Sequence, residues 1–259
     1  MPSNARVVVT GGTDVGRKRQ HNEDSYALLE SEHLYIVADG MGGHASGEVA
    51  SKMAIETLRE FFAATNEDPE ATWPYKMDRS RGYEENRLIT GIKLANLRIF
   101  EAAQQDARLR GMGTTLAALL VVAEGALLAH VGDSRIYRLR DGRLEQLTED
   151  HSLLNDYIKM KRLSEEEIAN FPHKNVIVRA LGMKETVKVD TLLDVPHPGD
   201  VYLLCSDGLC GPVSDDEMME VLRGAGDLHQ ANQQLIDRAN EHGGPDNITS
   251  VMVKVIGTG

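Results

Sequence analysis

Aspartates follow short apolar stretches at several points of this sequence. Asp39 ends "LYIVAD", Asp133 ends "LLAHVGD" and Asp207 ends "YLLCSD". Two more, Asp24 and Asp246, lie beside the apolar stretches "SYALLE" and "ITSVMVKV". If these stretches are strands of one sandwich, the carboxylates meet at one edge, where like charges repel unless protons or cations intervene. Oxygen ligands suit hard divalent ions, so the pattern predicts a Mg²⁺ or Mn²⁺ site in which a carboxylate bridges two ions.

The glycines after Asp39, in "DGMGGH", allow two interpretations. Asp-Gly is a favoured turn dipeptide, and Asp141-Gly142, which separates two apolar stretches at hairpin spacing, is interpreted as a turn alone. Alternatively, glycines let bare backbone approach a metal ion or a phosphate. The recurrence of strand-end aspartates favours the second interpretation for Asp39.

The composition argues against nucleic-acid-binding, membrane and disulfide-rich proteins. The chain has 259 residues, 41% hydrophobic and 26% charged, with a formal net charge of −12 and no long Lys/Arg stretch, which argues against nucleic acid and anionic membrane as partners. The longest apolar stretch, "TLAALLVVA", is far shorter than the roughly 20 residues of a membrane helix, and no signal-peptide pattern opens the chain. Two cysteines, Cys205 and Cys210, are too few for a disulfide framework. We therefore expect a protein of the reducing cytoplasm.

The elements that must position the aspartates are mainly strands. Short or alternating apolar stretches predict strands at 5–12, 25–30, 33–39, 187–195, 200–207 and 247–256, and an antiparallel meander with two hairpins between 114 and 147. Helical periodicity predicts helices at 47–64, 86–111, 214–224 and 227–243, with Ser214 and Asp227 as N-caps. Residues 65–82 are predicted to be an exposed loop, and 149–177 a polar surface excursion with a short helix at 164–171.

Helices that come in sequential pairs around antiparallel strands predict an α+β fold, a four-layer αββα sandwich of two antiparallel sheets flanked by helix pairs. No linker divides the chain, so residues 4–257 are predicted to form a single domain.

Seven motifs, in order along most of the chain, resemble those of the metal-dependent protein serine/threonine phosphatases of the PPM type, also called protein phosphatase 2C, in their bacterial single-domain form. They are "RQHNEDS" (19–25), "VADGMGGHASGE" (37–48), "GMGTTL" (111–116), "HVGDSRIYRLRDG" (130–142), "LTEDHSL" (147–153), "CSDGL" (205–209) and "GPDNITSV" (244–251). The resemblance implies the sandwich fold with a metal cluster at one end, two Mn²⁺ or Mg²⁺ ions per chain and a weaker third.

The resemblance also implies the ligands. Asp39 bridges two ions, the Gly40 carbonyl completes one, and Asp207 and Asp246 bind the other. Glu23 and Asp24 hold metal-bound waters. Asp133 binds the third ion, for which relatives are thought to use a second aspartate at the position of Gly211. With one carboxylate fewer, that ion is expected to bind weakly.

By similarity to the family, a hydroxide bridging the two ions attacks phosphorus directly, while Arg19 holds the phosphate oxygens. A cysteine-based phosphatase needs Arg six positions after Cys, whereas Gly211 and Asp216 stand there, so that class is excluded. The general acid stays open between His44 and a metal-bound water, because Met41 occupies the position at which some relatives carry histidine. His130 and His151 are interpreted as structural.

Phosphorylated proteins are the expected partners, including a bacterial serine/threonine kinase, which the enzyme would oppose, and that kinase's substrates; a monomer is expected. The main alternative is a non-enzymatic phosphoprotein-binding scaffold on the same fold, although no aspartate of the two-metal pair is lost. A phosphatase for anti-sigma-factor antagonists usually carries sensory domains, for which no residues are left. "RVVVTGGTDVG" is not followed by the helix of a dinucleotide-binding unit, and "DGMGGH" lacks the Gly-Lys-Ser/Thr of a P-loop.

Overall fold

The computed structural model describes residues 5–42, 46–68, 72–161, 163, 167–168, 171 and 176–258. Within them the strands, numbered along the chain, are β1 (Ala5–Asp14), β2 (Asp24–Leu29), β3 (Leu34–Met41), β4 (Gly113–Thr114), β5 (Leu116–Val122), β6 (Gly125–Val131), β7 (Arg135–Arg140), β8 (Arg143–Gln146), β9 (Asp190–Asp194), β10 (Val201–Cys205) and β11 (Ile248–Thr258). The α-helices are α1 (Ser46–Glu67), α2 (Tyr83–Gln105), α3 (Leu153–Lys161), α4 (Asp207–Cys210), α5 (Asp215–Gly224) and α6 (Leu228–Glu241).

The strands form two antiparallel sheets. The first has the order β1-β11-β10-β7-β8, and the second the order β2-β3-β5-β6-β9, with β4 added beside β3. Helices α1 and α2 pack on the outer face of the second sheet, and α5 and α6 on that of the first. The predicted four-layer α+β sandwich is therefore confirmed.

Strand β3 shows why apolar residues run continuously instead of alternating with polar ones. Leu34, Ile36 and Ala38 pack toward α1 and α2, whereas Tyr35 and Val37 pack between the two sheets. Because successive side chains point to opposite faces and both faces are covered, each position must be apolar. The fully buried run of β3 ends at Ala38, and Asp39 follows it within the same strand, which continues to Met41.

Strand directions place the aspartates at one end of the sandwich. Strands β3 and β6 both run antiparallel to β5, so Asp39 and Asp133 lie at the same end of the second sheet. In the first sheet, β10 runs antiparallel to β11, so Asp207, just after β10, meets Asp246, just before β11. Asp24 lies directly opposite Asp39 in the β2–β3 pair.

The middle of the chain departs from the prediction in one respect. Both predicted hairpins are present, β5–β6 and β7–β8, and the second turns through Asp141 and Gly142, whose φ angles of 48° and 73° fit a two-residue hairpin turn. The prediction of one meander is wrong, because the first hairpin belongs to the second sheet and the second hairpin to the first. The chain changes sheets at residues 132–134, and the apolar pattern does not record which sheet a strand joins.

The predicted helices are present with shifted ends. Ser214 and Asp227 are N-caps, since their side chains accept hydrogen bonds from the amides of Glu217 and Gln230. The helix predicted at 86–111 ends at Gln105 instead, followed by a short 3₁₀ helix at 107–109. Helix α3 was not predicted, and the short helix predicted at 164–171 lies mostly outside the described residues. Across the described residues, none of the helices combines the length and apolarity that crossing a membrane requires.

Candidate metal centre

Carboxylates crowd together at the end of the sandwich. Burial raises the pKa of Asp39 well above its usual value, and the negative charges of neighbouring aspartates raise it further. Burial and the charge of Asp246 likewise raise the pKa of Asp207. The cluster comprises Asp24, Asp39, Asp133, Asp207 and Asp246. Such a group of like charges needs protons or cations to be stable.

Two of these aspartates present buried oxygens without a partner. Burial is the largest effect on both side chains, and the charge of Asp207 acts in the same direction. The pKa of Asp24 is raised to about 6 and that of Asp133 to about 7. Among the described residues, nothing hydrogen bonds to Oδ1 of either side chain. A buried polar atom left unsatisfied costs about 1–3 kcal/mol. An all-oxygen set of this kind fits Mg²⁺ or Mn²⁺.

Asp24 is oriented from the first sheet. Ser206 Oγ donates to Asp24 Oδ2 at 2.8 Å and accepts the amide of Thr249 at 3.0 Å. Because Ser206 is fully buried at the end of β10, its hydroxyl fixes one oxygen of Asp24 and leaves Oδ1 free to bind. Sequence reasoning assigned no role to Ser206, although it precedes Asp207 in "CSDGL".

Asp39 is held by its backbone. Its amide donates to Thr115 Oγ1 at 3.1 Å, and its carbonyl accepts the Thr115 amide at 2.8 Å and the Thr114 hydroxyl at 2.9 Å. Thr115 Oγ1 also lies 2.6 Å from Ser134 Oγ, which links Asp39 to the neighbour of Asp133. Sequence reasoning missed these threonines, although "GMGTTL" contains them.

The surroundings of Gly40 explain why a glycine follows Asp39. Both residues lie within β3, so the tight-turn interpretation is wrong. A Cβ atom at Gly40 would lie 2.2 Å from the carbonyl oxygen of Gly47 and 2.5 Å from that of Glu23. Glycine is therefore required because the first turn of α1 packs directly against this strand.

Arg19 lies at the mouth of the cluster. Its Nη2 is 2.6 Å from Asp246 Oδ2, and just over half of its side chain is exposed. The hydrogen bond with Asp246 raises the pKa of Arg19. Among the described residues, Asp246 is the one aspartate of the cluster that is paired with a cationic side chain, and Arg19 is placed where solvent and a substrate can reach it.

Hydrogen bonds of Glu23 and Asn247 hold the loop between β1 and β2, which carries Arg19. Glu23 Oε1 accepts the amide of Gly47 at 3.2 Å, at the start of α1. Asn247 Oδ1 accepts the amide of Glu23 at 2.8 Å, while its Nδ2 donates to the carbonyls of Val15 and His21. Asn247 was not predicted as functional, although it directly follows Asp246 in "GPDN".

The remaining predicted positions are distributed as follows. His44 lies outside the described residues. Gly211 is exposed and follows α4, four residues after Asp207, so it offers no carboxylate to the cluster. His130, His151 and Asp190 also come close enough to share a metal ion. There, however, Arg179 Nη1 and Lys188 Nζ already lie 3.2 Å and 3.0 Å from the Asp190 carboxylate, so cationic side chains already offset its charge.

Comparison with known proteins agrees with this geometry. The family description "Protein phosphatase 2C" matches residues 12–247. The serine/threonine phosphatase stp of Listeria welshimeri serovar 6b is 39% identical over 249 residues, which cover 93% of each chain. The crystal structure of the Mycobacterium tuberculosis serine/threonine phosphatase PstP/Ppp superposes with a TM-score of 0.83 at 36% identity, covering 96% of this chain and 98% of that one. A structure of the PstP catalytic domain in complex with 2 manganese ions gives a TM-score of 0.79 at 35% identity, with the same coverage.

Proposed function

We propose a two-metal mechanism for this chain, which belongs to the protein phosphatase 2C family and is a serine/threonine phosphatase of that type. The observation that carries the proposal is the convergence of buried and half-buried aspartates, two of which present oxygens with no partner among the described residues. A relative of known structure, the PstP catalytic domain, is in complex with 2 manganese ions, which supports the same use of divalent metal here.

In the proposal each residue has a defined role. Asp39 would be shared by the two ions, the carbonyl of Gly40 would bind one of them, and Asp207 and Asp246 would bind the other. Glu23 and Asp24 act through water, and Asp133 binds a third, weaker ion. The free Oδ1 atoms of Asp24 and Asp133 support the roles given to these two residues.

When bound, a pair of divalent ions supplies a hydroxide nucleophile near neutral pH and stabilises the charge of the reacting phosphate. The planar guanidinium of Arg19 holds two phosphate oxygens and so fixes the phosphorus for in-line attack. Its exposure suits a phosphate carried on the surface of another protein. Cys205 is fully buried, which supports a mechanism without a cysteine nucleophile.

The proposed substrates are phosphoserine and phosphothreonine on proteins, including a serine/threonine kinase that this enzyme opposes. We also propose that residues 4–257 act as one catalytic domain, as a monomer. The expected cytoplasmic location stays a prediction, consistent with Cys205 and Cys210 being free thiols.

The decisive test is hydrolysis of phosphoserine and phosphothreonine peptides, and of p-nitrophenyl phosphate, with and without Mn²⁺. We expect turnover that needs added metal and is lost in excess chelator. Asp39→Asn should abolish it, whereas Asp141→Asn is the matched control, since Asp141 lies in an exposed hairpin turn and Asn tolerates its positive φ. Full activity in chelator would contradict the mechanism. Phosphopeptide binding without hydrolysis in Mn²⁺ would favour the scaffold alternative.

A further inference from the structure

His151 makes two hydrogen bonds to a single residue, Gly132, which immediately precedes Asp133. The Gly132 amide donates to His151 Nδ1 at 3.0 Å, and the His151 amide donates to the Gly132 carbonyl at 2.9 Å. The polar groups of Gly132 are therefore both bound by one buried histidine. This contact joins the segment after β8 to the point at which the chain changes sheets.

The far side of the imidazole ring is anchored as well. Because the Gly132 amide donates to Nδ1, the proton of the neutral ring is on Nε2, which lies 3.0 Å from Asp190 Oδ2 and 2.8 Å from Arg179 Nη1. Asp190 is held in turn by ion pairs with Arg179 and Lys188. Burial and the neighbouring His130 lower the pKa of His151 to about 4, so the ring is neutral at pH 7. The Gly132 amide thus sets the tautomer, and Asp190 and Arg179 together hold the Nε2 side of the ring.

The opposite side of the same turn is fixed by the second sheet. Ser134 Oγ lies 2.6 Å from Thr115 Oγ1, and a Cβ atom on Gly132, whose φ is 110°, would lie 2.7 Å from Thr115 Cβ. Asp133 is therefore placed by neighbours on both sides. Its own Oδ1 has no hydrogen bond among the described residues, so the position of this carboxylate depends on how the turn is held.

We propose that His151 is a positioning residue that directs the Asp133 carboxylate into the metal centre by clamping Gly132. The inference rests on the proposed function, in which Asp133 binds a divalent ion. Groups that orient metal ligands typically change metal affinity about 10–100-fold when they are removed. The effect should therefore appear in metal binding itself.

Two substitutions of His151 distinguish the hydrogen bond to Gly132 from the contact with Asp190. In His151→Asn, the amide oxygen takes the place of Nδ1 and can still accept from Gly132, while the bond to Asp190 is lost. In His151→Gln, the amide reaches the place of Nε2, so the bond to Asp190 can remain while the acceptor for Gly132 is lost. His130→Asn is the matched control, because His130 is equally buried and stacks on His151 at 4.6 Å, but bonds to the Glu149 carbonyl instead of the turn.

Mn²⁺ binding, without substrate, is measured by calorimetry and by electron paramagnetic resonance of free Mn²⁺. We expect the wild type to show a weak Mn²⁺ site that the single substitution Asp133→Asn removes. His151→Gln should weaken that site by about tenfold or more, whereas His151→Asn and His130→Asn should stay close to wild type. His151→Gln should have no further effect in an Asp133→Asn background, since both act on one ligand.

Equal losses in the Asn and Gln variants of His151, the same loss in His130→Asn, or a wild-type site insensitive to Asp133→Asn would each overturn the proposal. A second measurement needs no change at His151: Mg²⁺ should shift the NMR signals of the Gly132 amide and His151 Nδ1 in wild type but not in Asp133→Asn, and unmoved signals would overturn it. A chain that binds Mn²⁺ as expected but leaves phosphoproteins intact would contradict the proposed function alone.

Discussion

The Asp133→Asn substitution should stabilise the metal-free protein and destabilise the metal-bound one. Asp133 is 8% exposed and lacks a partner for Oδ1, and burial raises its pKa from 3.8 to about 7. A shift of about three pKa units corresponds to about 4 kcal/mol, since each unit is about 1.4 kcal/mol. That is an upper limit for the free energy of unfolding that ionised Asp133 removes from the metal-free fold.

The pH dependence follows from the direction of this shift. Below about pH 4, Asp133 is protonated in both the folded and the unfolded chain, and it costs nothing. As the pH rises toward 7, the unfolded chain releases the proton while the folded chain keeps it, so stability falls and then levels off above pH 7. Asn cannot ionise, so the variant should gain up to about 4 kcal/mol over wild type at pH 8 and little near pH 4.

Urea unfolding at pH 4.5 and pH 8, each in chelator and in Mn²⁺, measures these differences. In Mn²⁺ at pH 8 the order should reverse, because wild type gains the binding free energy of an ion that the variant holds less well. A metal-free variant that is less stable than wild type at pH 8 would refute the reasoning. It would mean that the ionised Asp133 carboxylate has a partner in the fold other than a cation.

Six further substitutions test individual roles. Asp39→Ala or Asp207→Ala should nearly abolish turnover, since each removes a proposed metal ligand; wild-type rates in either would reject the metal assignment. Arg19→Ala should mainly raise KM on phosphoprotein with Mn²⁺ affinity retained, and calorimetry showing lost metal affinity would make Arg19 structural. His44→Ala should slow phosphothreonine hydrolysis more than that of p-nitrophenyl phosphate, whose leaving oxygen needs little protonation, and equal losses would remove His44 as the acid. Gly211→Asp and Gly211→Ala should both lower Mn²⁺ affinity, because a Cβ atom there would lie 2.7 Å from the Asp207 carbonyl oxygen; tighter binding in Gly211→Asp would contradict this.

The architecture was predictable because the core between the two sheets and the cores under the helices impose patterns on the sequence. Continuous apolar strands such as β3 and amphipathic helices such as α1 are required by a four-layer packing, and their ends mark where carboxylates can reach solvent. The change of sheet at residues 132–134 was not predictable in this way. Hairpin spacing specifies that two strands pair, but not which of two sheets receives them.

The supporting residues of the candidate site were missed for a related reason. Ser206, Thr115 and Asn247 act through hydrogen bonds to residues far along the chain, at separations of 182 between Ser206 and Asp24 and 224 between Asn247 and Glu23. A single Ser, Thr or Asn has many local uses in turns and caps, so its type alone does not indicate a long-range partner. His151 was interpreted as structural from its apolar surroundings, and its contact with Gly132 is visible only in the folded chain.

Gly211 and His151 should have opposite effects on the binding of the proposed third ion. The carboxylate that relatives are thought to use at position 211 is absent here, and the close approach of Gly211 to the Asp207 carbonyl leaves no room for a side chain unless the backbone of Asp207 moves. The third ion would then depend on Asp133 for its main protein ligand. A weakly held ion with few ligands is sensitive to the position of each one, because a small displacement removes a large share of its binding energy. If Asp133 binds that ion as proposed, the two hydrogen bonds between His151 and Gly132 matter most in a chain that lacks the second carboxylate.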